Sequence, residues 1–414
     1  MPEYIAEPYD VLYFRGNKSF HFGAWYSEGI FPPVPSTFQG FVRSKLLLDA
    51  GKIDASGQAT ADASALVGND GTMGIDVSGP FLCDTETREL YFKRPADVMK
   101  ERKEDTSYSS VLRDAKDAEP VDSDLDFGIV TISVSNEKLE PPEFISLSEL
   151  ARYRTELTNL SLAAKDLVFT EDRVGIGLKW AKDTAKRRSV EPGRFYVTPY
   201  KRLNEKIALW FCVSGEGKAV PENGALKLGS ESHLVFIKGQ TASDESLIEQ
   251  TLEKSRDNLV EKIQETKTFR LLLLQPGVFE QGWFPLKYTS ENGRIVATEP
   301  GANVKLQLLS ACVGAPITIS GYSYVSNRGT TRQDNVKLKP SVRAVPAGSV
   351  YLFKILEDAT SETIEGLVKA LDNQKYPQKI SNEPYSYSRM GFNHVILACG
   401  PALTNTKPLS RKEY

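Results

Sequence analysis

The chain has 414 residues, of which 40% are apolar and 25% charged, so it can bury sizeable cores and is not disordered throughout. At roughly 150 residues per domain, this length predicts two or three domains. The net charge of −3 excludes a uniformly basic nucleic-acid coat, although a local basic strip is compatible with it. No basic-then-apolar leader follows Met1 and no stretch is typical of a membrane span, so we expect a cytoplasmic protein without membrane contacts.

The cysteines and histidines give no support for a metal site. The four cysteines are far apart, and the three histidines have no His or Cys at metal-ligand spacing. The sequence also lacks a P-loop, a GxSxG elbow, an HExxH pair and a Rossmann glycine fingerprint. We therefore expect no metal, no cofactor and no catalytic constellation, and we interpret the cysteines as small buried hydrophobes.

A helix start near the N-terminus is the first candidate site. Prolines stiffen residues 31–35, and Ser36 then reads as an N-cap that forms a capping box with Gln39. The helix that follows should carry Phe38, Val42 and Leu46 on one apolar face and end before Gly51. Its first turn could hold a phosphate, with hydroxyls from Ser36 and Thr37. The alternative is ordinary capping without a ligand.

Charged residues around this helix start extend the candidate site. Arg15 or Lys18 could face the first turn, and Arg43 lies about two turns further along the helix. His21, between two phenylalanines, could contact RNA or act as a general base for RNA cleavage. A histidine in such a setting is more often a packed residue.

The middle of the chain contains an acidic and a basic segment. Residues 100–126 carry nine acids against five bases and few large apolar side chains, which predicts a solvated insertion within about 95–126. Residues 179–202 carry eight bases, two acids and four interleaved aromatics, a local net charge of +6. Phosphates and unpaired bases require this combination, so a basic hairpin over about 173–202 is the second candidate. A solvated hairpin or a patch for an acidic protein partner is the alternative.

The candidate RNA contacts of that hairpin are its consecutive cations, Lys186, Arg187 and Arg188. Two further candidates lie later in the chain. Residues 328–343 carry five bases and one acid, among them Arg328 and Arg332 in a turn-like stretch that could reach over a ligand. Residues 388–393 include Arg389, Gly391 and Asn393, where the glycine could let the backbone approach a phosphate, or could mark a bulge.

The order of predicted elements gives the fold class. Amphipathic helices are predicted over 243–265 and from about 361, among strand signals, such as the one over 316–324, that do not alternate strictly with helices. This pattern favours an α+β fold with antiparallel sheets and helices on one face. Two fused ferredoxin-like domains with long insertions, over 1–240 and 241–414, fit the order best.

Motifs along the whole chain together resemble a known family, the third subunits of the Cmr complex. That complex is the type III-B CRISPR effector, and its third subunits belong to the RAMP superfamily. The late run at 343–351 favours type III-B over the related type III-A subunit. The matching segments are DVLYFR at 10–15, FPPVPSTFQGFVR at 31–43, RVGIGL at 173–178, GRFY at 193–196, QGWFP at 281–285, RAVPAGSVY at 343–351 and GFN at 391–393.

The resemblance implies two RAMP domains and a non-catalytic role in antiviral defence. Such subunits hold the 5′ handle of the guide crRNA and contact the large polymerase/cyclase-like subunit and the backbone RAMP subunits. Arg15, Arg43 and the helix start would then hold handle phosphates. The alternative is a metal-independent RAMP endoribonuclease that processes repeat RNA with His21 as its base, but no acid–base partner for His21 is evident.

Overall fold

The structure is a computed structural model of the chain. It describes residues 2–16, 26–27, 29–54, 57, 59–60, 62–68, 74–100, 107–112, 142–163, 165–180, 188–215, 221–240, 246–291, 294–299, 304–324, 336–356, 359–376 and 386–403. The helices are α1 (Pro35–Asp49), α2 (Ala63–Val67), α3 (Leu147–Thr155), α4 (Leu247–Glu253), α5 (Arg256–Thr266), α6 (Ser361–Leu371) and α7 (Tyr387–Met390).

Most of the strands belong to two large sheets. In chain order they are β1 (Glu3–Pro8), β2 (Ile75–Asp84), β3 (Leu90–Lys93), β4 (Val98–Met99), β5 (Ser109–Ser110), β6 (Phe144–Ser146), β7 (Val168–Trp180), β8 (Arg188–Leu203), β9 (Ile207–Gly215), β10 (Gly224–Lys227), β11 (Leu234–Gly239), β12 (Thr268–Leu273), β13 (Tyr288–Glu291), β14 (Arg294–Glu299), β15 (Val304–Cys312), β16 (Ile317–Ile319), β17 (Tyr322–Tyr324), β18 (Val336–Leu338), β19 (Val342–Ala344), β20 (Val350–Ile355), β21 (Gln374–Lys375) and β22 (His394–Cys399).

The first sheet has the strand order β10–β11–β1–β9–β2–β3–β6, and all neighbouring pairs are antiparallel. Its central strands β11–β1–β9–β2 have the order of a ferredoxin-like sheet, in which the fourth strand lies beside the first and the third beside the second. The helix α1 connects the first of these strands to the second. It packs on one face of the sheet through Phe38, Val42 and Leu46, which confirms the predicted apolar stripe.

The second sheet repeats this arrangement. Its order is β13–β14–β15–β20–β12–β22–β21, again antiparallel throughout, with β22–β12–β20–β15 in the ferredoxin-like order. Here the crossover helix is α6, which lies between the third and fourth strands. Leu367 of α6 and Ile263 of α5 pack on one face of this sheet. The predicted α+β class, with two ferredoxin-like units and antiparallel sheets, is confirmed. We refer to residues 2–240 and 246–403 as the first and second halves; the exact domain boundary at 240 stays a prediction.

One apolar core is shared by both sheets. Successive residues of a strand point to opposite faces, so those facing away from α1, α5 and α6 form a separate cluster. Leu147, Leu150 and Tyr153 of α3 belong to it as well. From the sheets the cluster includes Ile5, Phe81 and Trp210 of the first and Leu272, Leu352 and Ile396 of the second.

Each half contributes one buried arginine that forms an ion pair with a carboxylate of the other half. Arg270 of β12 donates to Asp97 at 3.0 Å and to the backbone carbonyl oxygens of Tyr153 and Glu156. Arg154 of α3 donates to the carbonyl oxygens of Leu252 and Leu397 and pairs with Asp372. Burial raises the pKa of Asp372 and lowers that of Arg154, and the ion pair opposes both shifts. Each half therefore satisfies a buried charge of the other.

Part of the acidic insertion does not behave as predicted. Residues 107–112 pack into the shared core, where Tyr108 and Leu112 are buried. Ser110 donates to Asp97 at 2.6 Å and so completes the hydrogen bonds of that carboxylate. The prediction of a solvated insertion is wrong for this stretch, because its few apolar residues are the ones that face the core. Residues 101–106 and 113–141 lie outside the described part of the chain.

Two long elements predicted in the second half are interrupted. The helix predicted over 243–265 is two helices, α4 and α5, which meet at Lys254 and Ser255. The strand predicted over 316–324 is split into β16 and β17 at Ser320 and Gly321. Each then pairs with its own short partner, β19 or β18, rather than with a large sheet. These two ribbons project towards α1.

Candidate functional site

The helix α1 begins two residues earlier than predicted, and no capping box forms. Val34 is the N-cap residue and Pro35 occupies the first helical position, where its missing N–H costs nothing. No side chain caps this helix, and its first turn contains no acidic residue. Ser36 and Thr37 are therefore first-turn residues rather than caps. The sequence was misread because a serine followed three residues later by glutamine matches the capping-box pattern wherever the helix begins.

This start leaves polar groups without partners in the described part of the chain. The N–H groups of Thr37 and Phe38 both donate to the carbonyl oxygen of Val34, at 3.0 and 3.3 Å. Within the described residues, the Ser36 N–H and the hydroxyls of Ser36 and Thr37 have no hydrogen-bond partner. Thr37 is exposed and Ser36 half-buried. The first turn thus offers one amide and two hydroxyls, at the positive end of the helix dipole, to an anion.

A groove opens directly beside this turn, and we call it the α1 groove. It has a volume of about 260 Å³ and lies between α1, the two short ribbons and α7. A small apolar cluster that includes Ile319, Met390 and Phe392 forms its floor, and Val34 packs against that cluster. The lining residues are Ser36, Thr37, Gly40, Ile319, Ser320, Gly321, Tyr322, Lys339, Pro340, Val342, Tyr387 and Met390.

The groove brings together three stretches that were separate candidates in the sequence. They are the start of α1, part of the basic stretch 328–343 and the segment 388–393. Gly391 makes this approach possible. Its φ is +109°, and a Cβ atom there would lie 3.0 Å from the Val77 carbonyl oxygen and 3.2 Å from the Pro35 Cβ. The glycine allows close packing of α7 against β2 and α1, and it ends α7 rather than forming a strand bulge.

The arginines predicted around α1 lie outside the groove lining. Arg43 is half-buried and donates to the Gly68 carbonyl oxygen at 2.7 Å, so it fastens α2 to α1. Arg15 is exposed and lies in a bridge with Gly29. Arg389 pairs with Asp76 of β2 at 3.1 Å. All three stay candidate phosphate contacts, but a ligand would meet them beyond the groove.

Two predicted site residues have structural roles instead. Asn393 is completely buried, and its side chain hydrogen-bonds the N–H and carbonyl oxygen of Val278 and the carbonyl oxygen of Tyr376. Gln39 is also buried, on the side of α1 that faces the sheet. Neither side chain is accessible to a ligand, and we omit both from the site proposed below.

The remaining candidates fall on or beside undescribed segments. Lys18, His21, Lys186, Arg187, Arg328 and Arg332 lie outside the described residues. Arg188 is the first residue of β8. The predicted hairpin itself is present, since β7 and β8 pair antiparallel along their length.

The base of this hairpin holds a network of exposed ion pairs. Arg202 pairs with Glu171 at 2.7 Å and with Asp10 at 2.8 Å, and Arg173 pairs with the same two carboxylates. Hydrogen bonds from Arg202 and Arg173 lower the pKa of Glu171. Both arginines are thus paired within the chain, and they fix the hairpin to the segment that follows β1.

Sequence reasoning missed the groove residues Tyr322 and Tyr387, and it identified Lys339 only as part of the basic stretch 328–343. Tyr322 is strongly exposed although aromatic, and no local pattern distinguishes it from a core tyrosine. The basic excess over 328–343 was the available signal, and it pointed to the right ribbon.

The described residues contain neither a candidate metal site nor a membrane-spanning helix. Among them, no group of three or more His, Cys, Asp or Glu could hold a metal ion. No described helix is both long and apolar enough to span a membrane. Cys83, Cys212 and Cys399 are buried, and burial raises the pKa of the Cys83 thiol to about 12.

Two fused ferredoxin-like units with a groove at their junction fit the RAMP class that the motifs suggested. Consistent with this class, a protein-family model described as "CRISPR-associated protein (Cas_Cmr3)" matches residues 4–398. The chain therefore belongs to the Cas_Cmr3 family, and the resemblance stated from its motifs is confirmed. As a member of this family it is a structural subunit of a type III-B CRISPR effector.

Solved structures and curated sequences were compared as well. The chain is 12% identical to a chain of the type III-B Cmr-beta complex bound to cognate target RNA, over 84% of this chain and 86% of that one, with a TM-score of 0.42. A structure of the same complex with AMPPnP also bound, in state 1, contains a chain that is 13% identical, with the same coverage and a TM-score of 0.43. A chain of the Csm3–Csm4 subcomplex of the type III-A interference complex is 12% identical to this chain. The match covers 87% of this chain and 96% of that one, with a TM-score of 0.30. No curated protein matches the chain. At these TM-scores the structural likenesses add no argument, and the family match carries the assignment.

Proposed function

We propose that this subunit holds the 5′ handle of the guide crRNA in the α1 groove. The observation that carries the proposal is the open first turn of α1, where the Ser36 amide and the hydroxyls of Ser36 and Thr37 have no partner among the described residues. A phosphate of a single strand satisfies these donors and interacts favourably with the helix dipole. In a member of this family, the guide is the ligand whose chemistry fits.

The role is structural and not catalytic. The groove supplies donors, an aromatic ring and a lysine, which bind a strand without activating a nucleophile. Arg15 and Arg389 lie outside the groove lining and are further candidate contacts for the strand. The large polymerase/cyclase-like subunit and the backbone RAMP subunits are the proposed protein partners, and the hairpin β7–β8 is the element that reaches towards the guide or a neighbouring subunit.

The test compares two single-charge substitutions on α1. Thr37→Glu places a carboxylate in the groove, whereas Ser44→Glu adds the same charge about two turns further along the same exposed face of the helix, beyond the groove lining. Each variant is purified by a tag from cells that contain no other copy, and the bound RNA and proteins are sequenced and quantified. We expect the partner subunits with both variants, and short RNAs with one common 5′ end with the Ser44→Glu complex.

Thr37→Glu should lower the guide affinity roughly tenfold or more, since a hydrogen bond to a charged group contributes about 1.5–3 kcal/mol and repulsion adds to its loss. Equal guide RNA in the two complexes would rule out the groove as the handle site. Recovery of wild-type protein with neither RNA nor partners would contradict the structural role itself.

A further inference from the structure

Tyr322 is the most exposed large apolar side chain of the described residues, at 72%. It lines the α1 groove from the ribbon side, opposite the first turn of α1. Its cross-strand neighbour Leu338 is 63% exposed. Both belong to the two-stranded ribbon β17–β18, to which no third strand is paired among the described residues.

This exposure is not explained by the fold. Two-stranded ribbons are marginal in water, and packing apolar side chains against a neighbouring element is the usual way to stabilise one. The neighbouring ribbon β16–β19 follows that rule, since Ile319 and Ala344 are buried against α7. In β17–β18 the ring instead stays in water at the mouth of a cavity. The ring therefore offers a flat apolar face to whatever enters the groove.

The rest of the groove determines which ligand fits that face. Across from Tyr322, Ser36 and Thr37 present donors for an anion, and Lys339 lines the same cavity. Anion donors and an aromatic face within one small cavity fit a nucleotide, whose phosphate and base need both. A volume of about 260 Å³ accommodates one nucleotide of a single strand but not a duplex.

We infer that Tyr322 is the stacking face for one base of single-stranded RNA held in the α1 groove. The inference rests on the function proposed above and adds a residue that stacks on a base rather than binding a phosphate. Stacking on a tyrosine tolerates any base, so this contact contributes affinity and position rather than sequence recognition.

The experiment uses the complex reconstituted with synthetic guides, each carrying a single 2-aminopurine at one position of the 5′ handle. The fluorescence of this base falls when its ring is stacked. Three variants are compared with the wild type: Tyr322→Ala removes the ring, and Tyr322→Phe keeps it without the hydroxyl. Tyr9→Ala removes a tyrosine that is similarly exposed, at 65%, but lies outside the groove.

With the wild type, we expect one handle position to be quenched by the protein. Tyr322→Ala should restore fluorescence at that position alone and weaken guide binding roughly 5- to 150-fold. Tyr322→Phe and Tyr9→Ala should behave as the wild type. The inference is overturned if no position brightens in Tyr322→Ala, or if that variant loses a protein subunit while guide fluorescence is unchanged.

The two proposals fail in distinguishable ways. If Thr37→Glu loses the guide while Tyr322→Ala leaves both affinity and fluorescence unchanged, the groove holds the handle and only the stacking inference is wrong. If Thr37→Glu retains the guide at full affinity and no position brightens in Tyr322→Ala, both are wrong.

Discussion

The two halves differ most at the start of their crossover helices. In the second half, the side chain of Thr360 caps α6 by accepting from the Thr363 N–H, and Glu362 places a negative charge in the first turn. In the first half, α1 has neither a side-chain cap nor an acidic residue in its first turn. One helix start is satisfied by its own residues, and the other is left open to the α1 groove.

The difference shows how one fold serves two purposes in the same chain. The second half uses its helix for packing, with Ile364, Leu367 and Leu371 in the core. In the proposed function, the first half uses the start of α1 for a ligand, and the second half contributes the ribbons and α7 that complete the cavity. Neither half contains the groove alone, so the proposed function requires a fixed position of the halves relative to each other.

The largest expected effect comes from breaking that fixed position. Arg270→Met leaves Asp97 buried without its cation and should destabilise the protein by about 3–5 kcal/mol. Because the core is shared, both halves should unfold in one transition. The exposed pair of Arg152 and Glu156 provides the control, and Arg152→Met should cost at most about 1 kcal/mol. Urea denaturation followed by fluorescence measures both. Two separate transitions, with only one shifted by Arg270→Met, would contradict the shared core.

Gly391 ends α7 of the second half where this helix packs against β2 of the first half, so a substitution there tests the contact between the halves. Gly391→Ala should destabilise by about 1–3 kcal/mol, because φ is +109° and the added Cβ would press on the Val77 and Gly79 carbonyl oxygens. Gly40→Ala is the matched control: a Cβ at Gly40 has nothing within 4 Å, and alanine in a helix should stabilise by roughly 0.5–1 kcal/mol. Thermal melts of the two variants should therefore shift in opposite directions. A shift of both in the same direction would contradict the packing described here.

Buried His394 on β22 makes the border between the halves sensitive to acid. Burial, with nearby Lys375, lowers the pKa of His394 from 6.5 to about 3, and its ring lies 6.0 Å from Phe81 of the first half. Between these pKa values the unfolded chain binds a proton that the folded chain does not. Stability is therefore complete above about pH 6.5 and falls by roughly 1.4 kcal/mol per pH unit below it. Urea titrations from pH 7 to 5 should show a shallower decline in His394→Gln. Equal slopes would contradict the account.

The smallest effect concerns the open helix start itself. In the isolated protein, Thr37→Glu should stabilise by about 0.3–1 kcal/mol, because a carboxylate in the first turn interacts favourably with the dipole of α1. Ser44→Glu, in the middle of the helix, should change stability less. A substitution that strengthens folding but weakens guide binding separates the role of this turn in function from its role in the fold. Destabilisation by Thr37→Glu would indicate that the turn is not open.

The sequence predicted the framework well because the framework follows local patterns. The apolar stripe of α1 follows the helical period, and the strands of the sheets and of the hairpin β7–β8 follow the strand period. The shared core was not predicted, because Tyr108 and Leu112 sit in an acidic segment and their burial depends on partners distant in the chain. The groove was predicted in pieces only. Ser36 and Thr37 were identified from the sequence. Tyr322 was not, because it lines the same groove only as a result of tertiary packing, which leaves no periodic signal in the sequence.

The most direct test of the central claim is to crosslink the 5′ handle to the assembled effector. A guide with a photoreactive base at each handle position in turn is irradiated in the complex, and the crosslinked peptides of this subunit are identified by mass spectrometry. Our account predicts crosslinks to peptides that contain the start of α1 and the ribbon residues 317–324 and 336–344. Crosslinks confined to the hairpin residues 168–203, with none at the groove, would contradict it.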